Sequence, residues 1–355
     1  MDSFQNKNSE SFYRWIFRKK DHLDQIVFIF ISKLNTQNAR NFQLFDASDN
    51  VRIVYLNGIK FRFTDLFLLN LFTFMMNLFK NRIKNYRVLH LFSTSGFSSK
   101  QKQVLHLDDP VYSKIELENL KKWELNQKQT NGQSILICTN QYTKNWFDAE
   151  LKFSKVFVIE QGFKEVVPVR FLPKLKFTCV YSSPYIHLAN DKHGNHSTWG
   201  SELLINQIIP KLNLIDPDIE IYLIGELGKD AHHQLRQFRN VFLHGRVSFE
   251  RNMQILSSCS IGLYPRSHDH KRSILKIFSY IGAGLPTVSF DLEDTRVIKD
   301  NNLGVSVNTV SEFIEAIILL KKNPHILEDL KINIEKFRPP YTWENLFRKM
   351  SDLLN

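Results

Sequence analysis

Short apolar runs rich in β-branched and aromatic residues recur along the chain and alternate with stretches of helical periodicity. In the first half such runs predict strands at residues 26–31, 51–56, 88–92, 104–107, 135–139 and 156–159. A helical pattern at residues 112–127 lies between two of these runs. This alternation is typical of a mostly parallel sheet covered by helices. The first half of the chain is therefore predicted to be an α/β lobe.

The second half shows the same alternation more cleanly. Strands are predicted at residues 177–182, 219–224, 241–244, 261–264 and 287–290, and helices at 199–212, 231–238, 248–257, 273–282, 310–321 and 343–354. Ser248 is the predicted N-cap of its helix, with Arg251 three residues further on. Pro168 and Pro173 mark a linker between the halves. About six βα units predict a doubly wound domain after this linker.

The most apolar stretch, residues 61–79, is interrupted by Arg62, Asp65, Asn70 and Asn77. A membrane-spanning helix needs roughly 18 or more uninterrupted apolar residues, so this segment is not expected to cross a membrane. Its apolar positions nearly encircle a helix, which fits either a buried helix of the lobe or a helix lying partly in a bilayer surface. Basic residues flank it at positions 60, 80, 82 and 84, which favours an anionic membrane surface as a partner in the second case.

The composition is that of a folded protein with two domains. The chain has 355 residues, of which 43% are hydrophobic and 23% charged, and this excludes a disordered or collagen-like chain. The three cysteines form no C-x-x-C pair and no zinc-spaced cluster, which favours a reducing compartment and no structural metal. Residues 1–20 lack the apolar core of a secretory signal. The protein is therefore expected to be cytoplasmic.

The net charge of +11 suits a protein that works near phosphates, nucleotides or an anionic membrane face. Nucleic acid is disfavoured as a partner, because the basic residues are dispersed and no nucleic-acid-binding signature is present. The charge alone also supports an alternative function, namely a basic protein that binds a membrane surface or nucleic acid.

Three junctions in the second half pass from a strand through Gly or Pro towards a helix, at residues 224–228, 244–248 and 264–272. Such junctions bind phosphate groups because helix N-termini present free N–H groups. Gly225 and Arg246 in the first two are candidate donor-binding residues. Neither junction has the glycine pattern of a dinucleotide fold or a P-loop, so an ordinary dehydrogenase or ATPase is not expected.

The third junction is the most basic part of the half. Arg266, Lys271, Arg272 and Lys276 fall within eleven residues. On a helix beginning near Lys271, Arg272 and Lys276 would share one face and could grip a diphosphate together with the helix N–H groups near Ser273. Lys276 is expected to lie at the surface of the cleft. The alternative is a solvated basic helix start.

Two acidic residues at the end of a predicted strand, Asp108 and Asp109, are candidates for a catalytic base that orients an acceptor hydroxyl. An equally good interpretation is that Asp109, which precedes Pro110, caps the following helix. His268 and His270 could contact phosphate or be solvated, and no third ligand supports a metal site.

The segment KIFSYIGAGLPTV (residues 276–288) resembles the K-[LI]-[FY]-E-Y-x-A-x-G-x-P-V-V segment of retaining GT-B glycosyltransferases of family 4. Three segments precede this one in the same order as in that family: DPDIEIYLIGE, NVFLHGRVSFE and SCSIGLYPR. The resemblance therefore covers residues 177–354. Three segments of the first half resemble the acceptor lobe of that family more loosely: LHLDDPVYSKIELENLKKWE, SILICTNQYT and KVFVIEQGF.

The resemblance implies two Rossmann-like doubly wound lobes with an interdomain cleft. Residues 1–168 would form the acceptor lobe, residues 169–340 the nucleotide-sugar lobe, and residues 341–355 a helix that packs back on the first lobe. The implied activity is metal-independent, retaining transfer from a nucleoside-diphosphate sugar, with no other cofactor, to a glycan or lipid-linked acceptor. We expect this in surface polysaccharide biosynthesis, in the cytoplasm or peripherally on the inner membrane face, with Lys276, Arg272 and Arg266 stabilising the leaving diphosphate.

The chain departs from the family at an important place. The paired glutamates of the family, separated by seven residues, fall on Lys271 and Ser279 here. The second glutamate holds the ribose hydroxyls in the family, and a serine can do this only more weakly. The basic residues that follow the first donor-lobe strand are also unmatched. A non-catalytic GT-B-like partner or regulator of another glycosyltransferase is therefore the alternative.

Overall fold

The computed structural model describes residues 26–31, 42–48, 51–56, 87–91, 103–107, 134–151, 155–164, 176–188, 200–268 and 274–354, with residues 118, 121, 124 and 125. The chain divides into two compact units, Met1–Glu160 and Gln161–Asn355. The predicted linker at residues 168–173 and the apolar segment at residues 61–79 lie outside the described residues.

The first unit is built on a mostly parallel sheet. Its strands are β1 (Ile26–Ile31), β2 (Phe42–Ser48), β3 (Val51–Leu56), β4 (Arg87–Leu91), β5 (Gln103–Leu107), β6 (Ser134–Cys138) and β7 (Lys155–Val158), and helix α1 is Gln141–Glu150. The described strands pair in the order β2-β3-β1-β4-β5-β6-β7. Only β2 pairs antiparallel among them, at the edge. The expectation of an α/β lobe is confirmed, and β2 was not predicted.

The second unit carries a fully parallel six-stranded sheet. Its strands are β8 (Thr178–Ile186), β9 (Glu220–Leu227), β10 (Val241–Gly245), β11 (Ile261–Tyr264), β12 (Thr287–Phe290) and β13 (Gly304–Val307). They pair in the order β10-β9-β8-β11-β12-β13. Numbered within the unit this is 3-2-1-4-5-6, the Rossmann order, whose winding reverses between β8 and β11. Ligands of such sheets bind at the carboxyl ends of the strands at that switch point.

Helices connect these strands and continue to the end of the chain. They are α2 (Ser201–Leu203), α3 (Ile209–Ile215), α4 (Lys229–Leu235), α5 (Phe249–Ser257), α6 (Leu275–Gly282), α7 (Arg296–Asp300), α8 (Val310–Lys322), α9 (Pro324–Phe337) and α10 (Trp343–Leu354). A π-helical turn, Leu204–Ile208, joins α2 to α3. Among the described helices, none is long and apolar enough to cross a membrane.

Local sequence explains where several helices begin. Side-chain oxygens of Ser248 and Thr309 accept hydrogen bonds from the backbone N–H groups three residues on, at 3.2 Å each, which satisfies donors that have no partner within the helix. The predicted cap at Ser248 is thus confirmed. Helix α6 differs from the prediction, because it begins at Leu275 after Ile274 and has no side-chain cap. Arg272 lies outside the described residues, so the expected pairing of Arg272 with Lys276 on one helical face stays a prediction.

The second sheet is covered by helices on both faces. Tyr181 of β8 is buried in a cluster with Leu212 of α3 and Phe313 of α8. Its neighbour Val180 points the other way and packs with Met253 of α5 and Tyr280 of α6. Side chains of one strand alternate between faces, so a buried parallel strand must be apolar on both. This produces the near-continuous apolar runs seen in the sequence and confirms the doubly wound prediction.

Candidate functional site

Tyr280 of helix α6 ties together the two strands at the switch point. Its hydroxyl accepts a hydrogen bond from the Ser182 backbone N–H of β8 and donates one to the Leu263 carbonyl of β11, both at 3.1 Å. Its ring lies against Gly262, where a Cβ atom would come within 2.6 Å of the ring. These contacts fix the second turn of α6 against β8 and β11.

Two glycines with positive φ bring backbone segments together at the same edge. Gly200, at φ +84°, begins α2, and a Cβ there would lie 2.4 Å from the Pro265 carbonyl oxygen. Gly225, at φ +144°, lies near the carboxyl end of β9, and a Cβ there would lie 1.8 Å from the Ser183 carbonyl oxygen. Only glycine tolerates both the backbone angle and the closeness. Gly225, predicted to bind the donor, therefore has a packing role in this structure.

The ammonium group of Lys276 lies inside the protein at this switch point. Its Nζ atom is inaccessible to solvent and has no hydrogen-bond partner among the described residues. The nearest ring centroids are those of Tyr181, at 4.1 Å, and Tyr264, at 5.7 Å. Burial, and after it the charge of Arg266, lower the pKa of Lys276 to about 7. The sequence predicted a lysine at the surface of the cleft. The structure instead buries the Nζ atom of Lys276, and the rest of the residue is only partly exposed.

Arg266 supplies a second buried cation directly after β11. Its side chain is 3% exposed and donates a hydrogen bond to the Tyr264 hydroxyl at 3.2 Å. The Asp294 carboxylate, 5% exposed, lies 3.8 Å from the guanidinium. With Lys276 protonated, two positive groups are balanced here by one described carboxylate. The arrangement can therefore bind an anion, because a buried excess of positive charge is stabilised by a negative ligand.

A second basic group lies at the carboxyl ends of β8, β9 and β10. The exposed guanidinium of Arg246 lies 4.9 Å from the centre of the Tyr185 ring, and its Nε atom lies 3.2 Å from a Glu226 carboxylate oxygen. Gly245 precedes it at φ +65° and has open space around its α-carbon. Stacking and ion pairing hold Arg246 in place, on the sheet edge where the fold binds ligands.

No family model and no curated protein sequence matches the chain. Solved structures do match its fold. Sucrose-phosphate synthase from Thermosynechococcus elongatus superposes with a TM-score of 0.64 at 12% identity, over 93% of this chain and 98% of that one. A trehalose-6-phosphate synthase, studied for glycosyl transfer with retention, gives 0.61 at 10% identity, over 96% and 95%. The chain has the GT-B fold.

TarM of S. aureus, solved with UDP, is a third GT-B structure similar to this chain. The TM-score is 0.54 at 15% identity, over 76% of this chain. The match spans only 55% of TarM, so the chain corresponds to about half of that protein. At these low identities the superpositions show the shared fold alone, and this confirms the GT-B expectation. The chemistry of this chain depends on its own residues.

Ser279 occupies the place where the resemblance to family 4 glycosyltransferases implies a ribose-binding glutamate. Its hydroxyl donates a hydrogen bond to the Leu275 carbonyl, one turn back in α6, at 3.0 Å. The oxygen can still accept a hydrogen bond, but its proton is already used. A GT-B donor site with this serine would hold a ribose less firmly than one with a carboxylate.

The structure brings Lys276 and Arg266 together at one switch point and places Arg246 on the same sheet edge. The other predicted donor and catalytic residues, together with His270, lie outside the described residues: Asp108, Asp109, Lys271, Arg272 and Ser273. In the described ranges no three His, Cys, Asp or Glu side chains gather into a metal-binding group. Metal independence stays a prediction.

Sequence reasoning missed the aromatic and acidic residues that contact the buried cations, namely Tyr181, Tyr264 and Asp294. Each tyrosine lies in a predicted strand, and the sequence alone does not show which strand residues meet a lysine. One signal was available. Tyr264 and Arg266 are close in sequence at a strand end that opens on the switch point of a doubly wound sheet.

Proposed function

We propose that the chain is a glycosyltransferase that moves a sugar from a nucleoside-diphosphate sugar to a glycan or lipid-linked acceptor. The observation that carries this is the buried Lys276 side chain, whose Nζ atom has no hydrogen-bond partner among the described residues and lies beside Arg266 at the switch point of a Rossmann-ordered sheet in a GT-B chain. A diphosphate bound there would supply the missing hydrogen-bond acceptors. UDP bound to TarM, which shares the fold, supports this donor class.

The proposed chemistry is stabilisation of the leaving diphosphate. Breaking the bond between sugar and phosphate places negative charge on the diphosphate oxygens, and fixed cations in a dry site lower the energy of that charge. Lys276 and Arg266 are the described groups that would do this. We extend the proposal to transfer without a metal ion, because these cations offer the charge stabilisation that a metal supplies elsewhere. Retention is proposed by analogy with the trehalose-6-phosphate synthase above.

Other parts of the proposal rest on the sequence. Asp108 or Asp109 would orient the acceptor hydroxyl, and the acceptor would belong to a surface polysaccharide pathway. We propose a cytoplasmic location because the three cysteines favour a reducing compartment, and peripheral membrane attachment because of the charge of +11 and the flanked apolar segment at residues 61–79.

A second candidate function is a GT-B-like partner or regulator without catalytic activity. Ser279 favours it, because a hydroxyl committed to the Leu275 carbonyl replaces a carboxylate that would hold the ribose. Such a protein could still bind a nucleotide but would not release diphosphate from a nucleotide sugar. Binding and turnover together separate the two functions.

The test is a thermal-shift panel of UDP, GDP, CMP and ADP sugars against wild-type protein and Lys276→Met. Each shift is measured against the same variant without ligand. At least one of the UDP, GDP and ADP sugars, which carry a diphosphate, should raise the melting temperature of the wild type and raise that of Lys276→Met less. Lys336→Met, an exposed lysine on α9, is the matched control and should respond like the wild type. A panel without any shift would contradict the proposal.

A further inference from the structure

The surroundings of Lys276 disfavour a charged amine when no ligand is bound. Its Nζ faces the Tyr181 ring from β8, and the Tyr264 ring and the Arg266 guanidinium from the end of β11. Tyr280, on the same helix as Lys276, uses its hydroxyl in hydrogen bonds with the Ser182 N–H and the Leu263 carbonyl. No carboxylate forms an ion pair with Lys276 in the part of the chain that the structure describes. A buried cation with no anion and a second cation nearby is strongly disfavoured.

The remaining charged groups near this lysine do not change that balance. Asp294 lies against Arg266 and offsets the charge of the guanidinium. Burial raises the pKa of the Tyr181 and Tyr280 phenols, so both stay neutral throughout the physiological range. The pKa of Lys276 itself falls to about 7, so at pH 8 about nine-tenths of the empty sites hold a neutral amine.

We propose that this site binds a diphosphate together with one proton, which the Lys276 amine takes up from solvent as the anion arrives. This rests on the proposed function, because it concerns the same donor site. No covalent bond to the ligand forms in this step. The amine becomes an ammonium, which donates hydrogen bonds to the phosphate oxygens, and the negative ligand then stabilises the charge that the empty site disfavours.

The consequence is that affinity for the donor depends on pH through the protein. Above pH 7 each binding event must first protonate the amine, so the dissociation constant should rise about tenfold per pH unit. The diphosphate of a nucleotide sugar is a diester that does not titrate between pH 7 and 8.5. An arginine at the same place would be charged at every pH and would give no such dependence.

The test is isothermal titration calorimetry with UDP at pH 8, where its terminal phosphate is already ionised, in two buffers of different ionisation enthalpy. The difference in heat gives the number of protons taken up per ligand bound. We expect about 0.9 proton for the wild type and for the control Lys336→Met. We expect about zero for Lys276→Arg and for Lys276→Met, the latter with weaker binding.

A second measurement needs no variant at position 276. The affinity of wild-type protein for the nucleotide sugar with the largest thermal shift should fall about tenfold between pH 7.5 and 8.5. Binding without proton uptake and without this fall would overturn the inference and leave the proposed function standing. Equal uptake in Lys276→Arg would also overturn it, since the proton would enter another group. Absence of binding at every pH from 6 to 8.5 would overturn both.

Discussion

Replacing Lys276 by methionine should stabilise the protein without ligand, most strongly below pH 7. Methionine has a similar length and flexibility, so it can fill the space between the Tyr181 and Tyr264 rings without a charge to bury. Natural binding sites are often destabilising for the empty protein, and removing their buried charges commonly raises stability while abolishing function.

The magnitude follows from the pKa of Lys276, which falls from 10.5 to about 7 on folding. At 1.36 kcal/mol per unit, the charged amine destabilises the folded state by roughly 4–5 kcal/mol as an upper bound. Between pH 7 and 10.5 the unfolded chain binds more protons at this residue than the folded chain, so wild-type stability rises with pH in that window. The gain from Lys276→Met should therefore be about 2–4 kcal/mol at pH 6 and close to zero at pH 10.5.

The assay is urea unfolding of wild type, Lys276→Met and Lys336→Met at pH 6, 8 and 10, followed by circular dichroism. The two compact units can unfold separately, so the transition that shifts between variants is assigned to residues 161–355 by hydrogen exchange. A destabilised Lys276→Met protein at pH 6 would refute the reasoning. A gain of equal size at pH 6 and pH 10 would also refute it, because the effect would then come from packing.

Three further predictions concern other parts of the chain. Tyr280→Phe removes the hydroxyl that joins Ser182 and Leu263 and should lower stability by about 2–4 kcal/mol; a loss below 0.5 kcal/mol in thermal unfolding would show that this link between strands matters little. Ser279→Glu should keep or tighten nucleotide binding in calorimetry, since it restores a two-oxygen acceptor for the ribose, and abolished binding would show that the sequence register is wrong. The full chain should float with anionic vesicles at low salt and detach at high salt, and absence of flotation would leave residues 61–79 as an ordinary core helix.

Most strands could be predicted from the sequence because buried parallel strands are apolar on both faces. β9 and β11 illustrate this. Each lies between two other strands of the second sheet and contains a short run of buried apolar residues. β2 was missed because its sequence, FQLFDAS, mixes polar and apolar residues, as an edge strand can. The start of α6 was placed too early because the basic residues before it are compatible with a helix, while its true start at Leu275 has no side-chain cap to mark it.

The candidate site was only partly predictable for a different reason. Lys276 stood out through its motif and through the basic residues nearby, but its burial depends on Tyr181, which lies 95 residues earlier in the chain. Contacts of such sequence separation are created by the sheet order, which brings β8 next to β11. The packing role of Gly225 was hidden in the same way, because it depends on the Ser183 carbonyl of the neighbouring strand.

The central claim is that Lys276 stabilises the diphosphate that leaves a nucleotide sugar. The most direct measurement is the rate at which nucleoside diphosphate is released from the nucleotide sugar with the largest thermal shift, with water as acceptor. We expect wild type and Lys336→Met to release it at the same rate, and Lys276→Ala to have a kcat/KM at least about a hundredfold lower with its fold intact. An unchanged kcat/KM in Lys276→Ala, or no release by the wild type from any sugar in the panel, would contradict the claim.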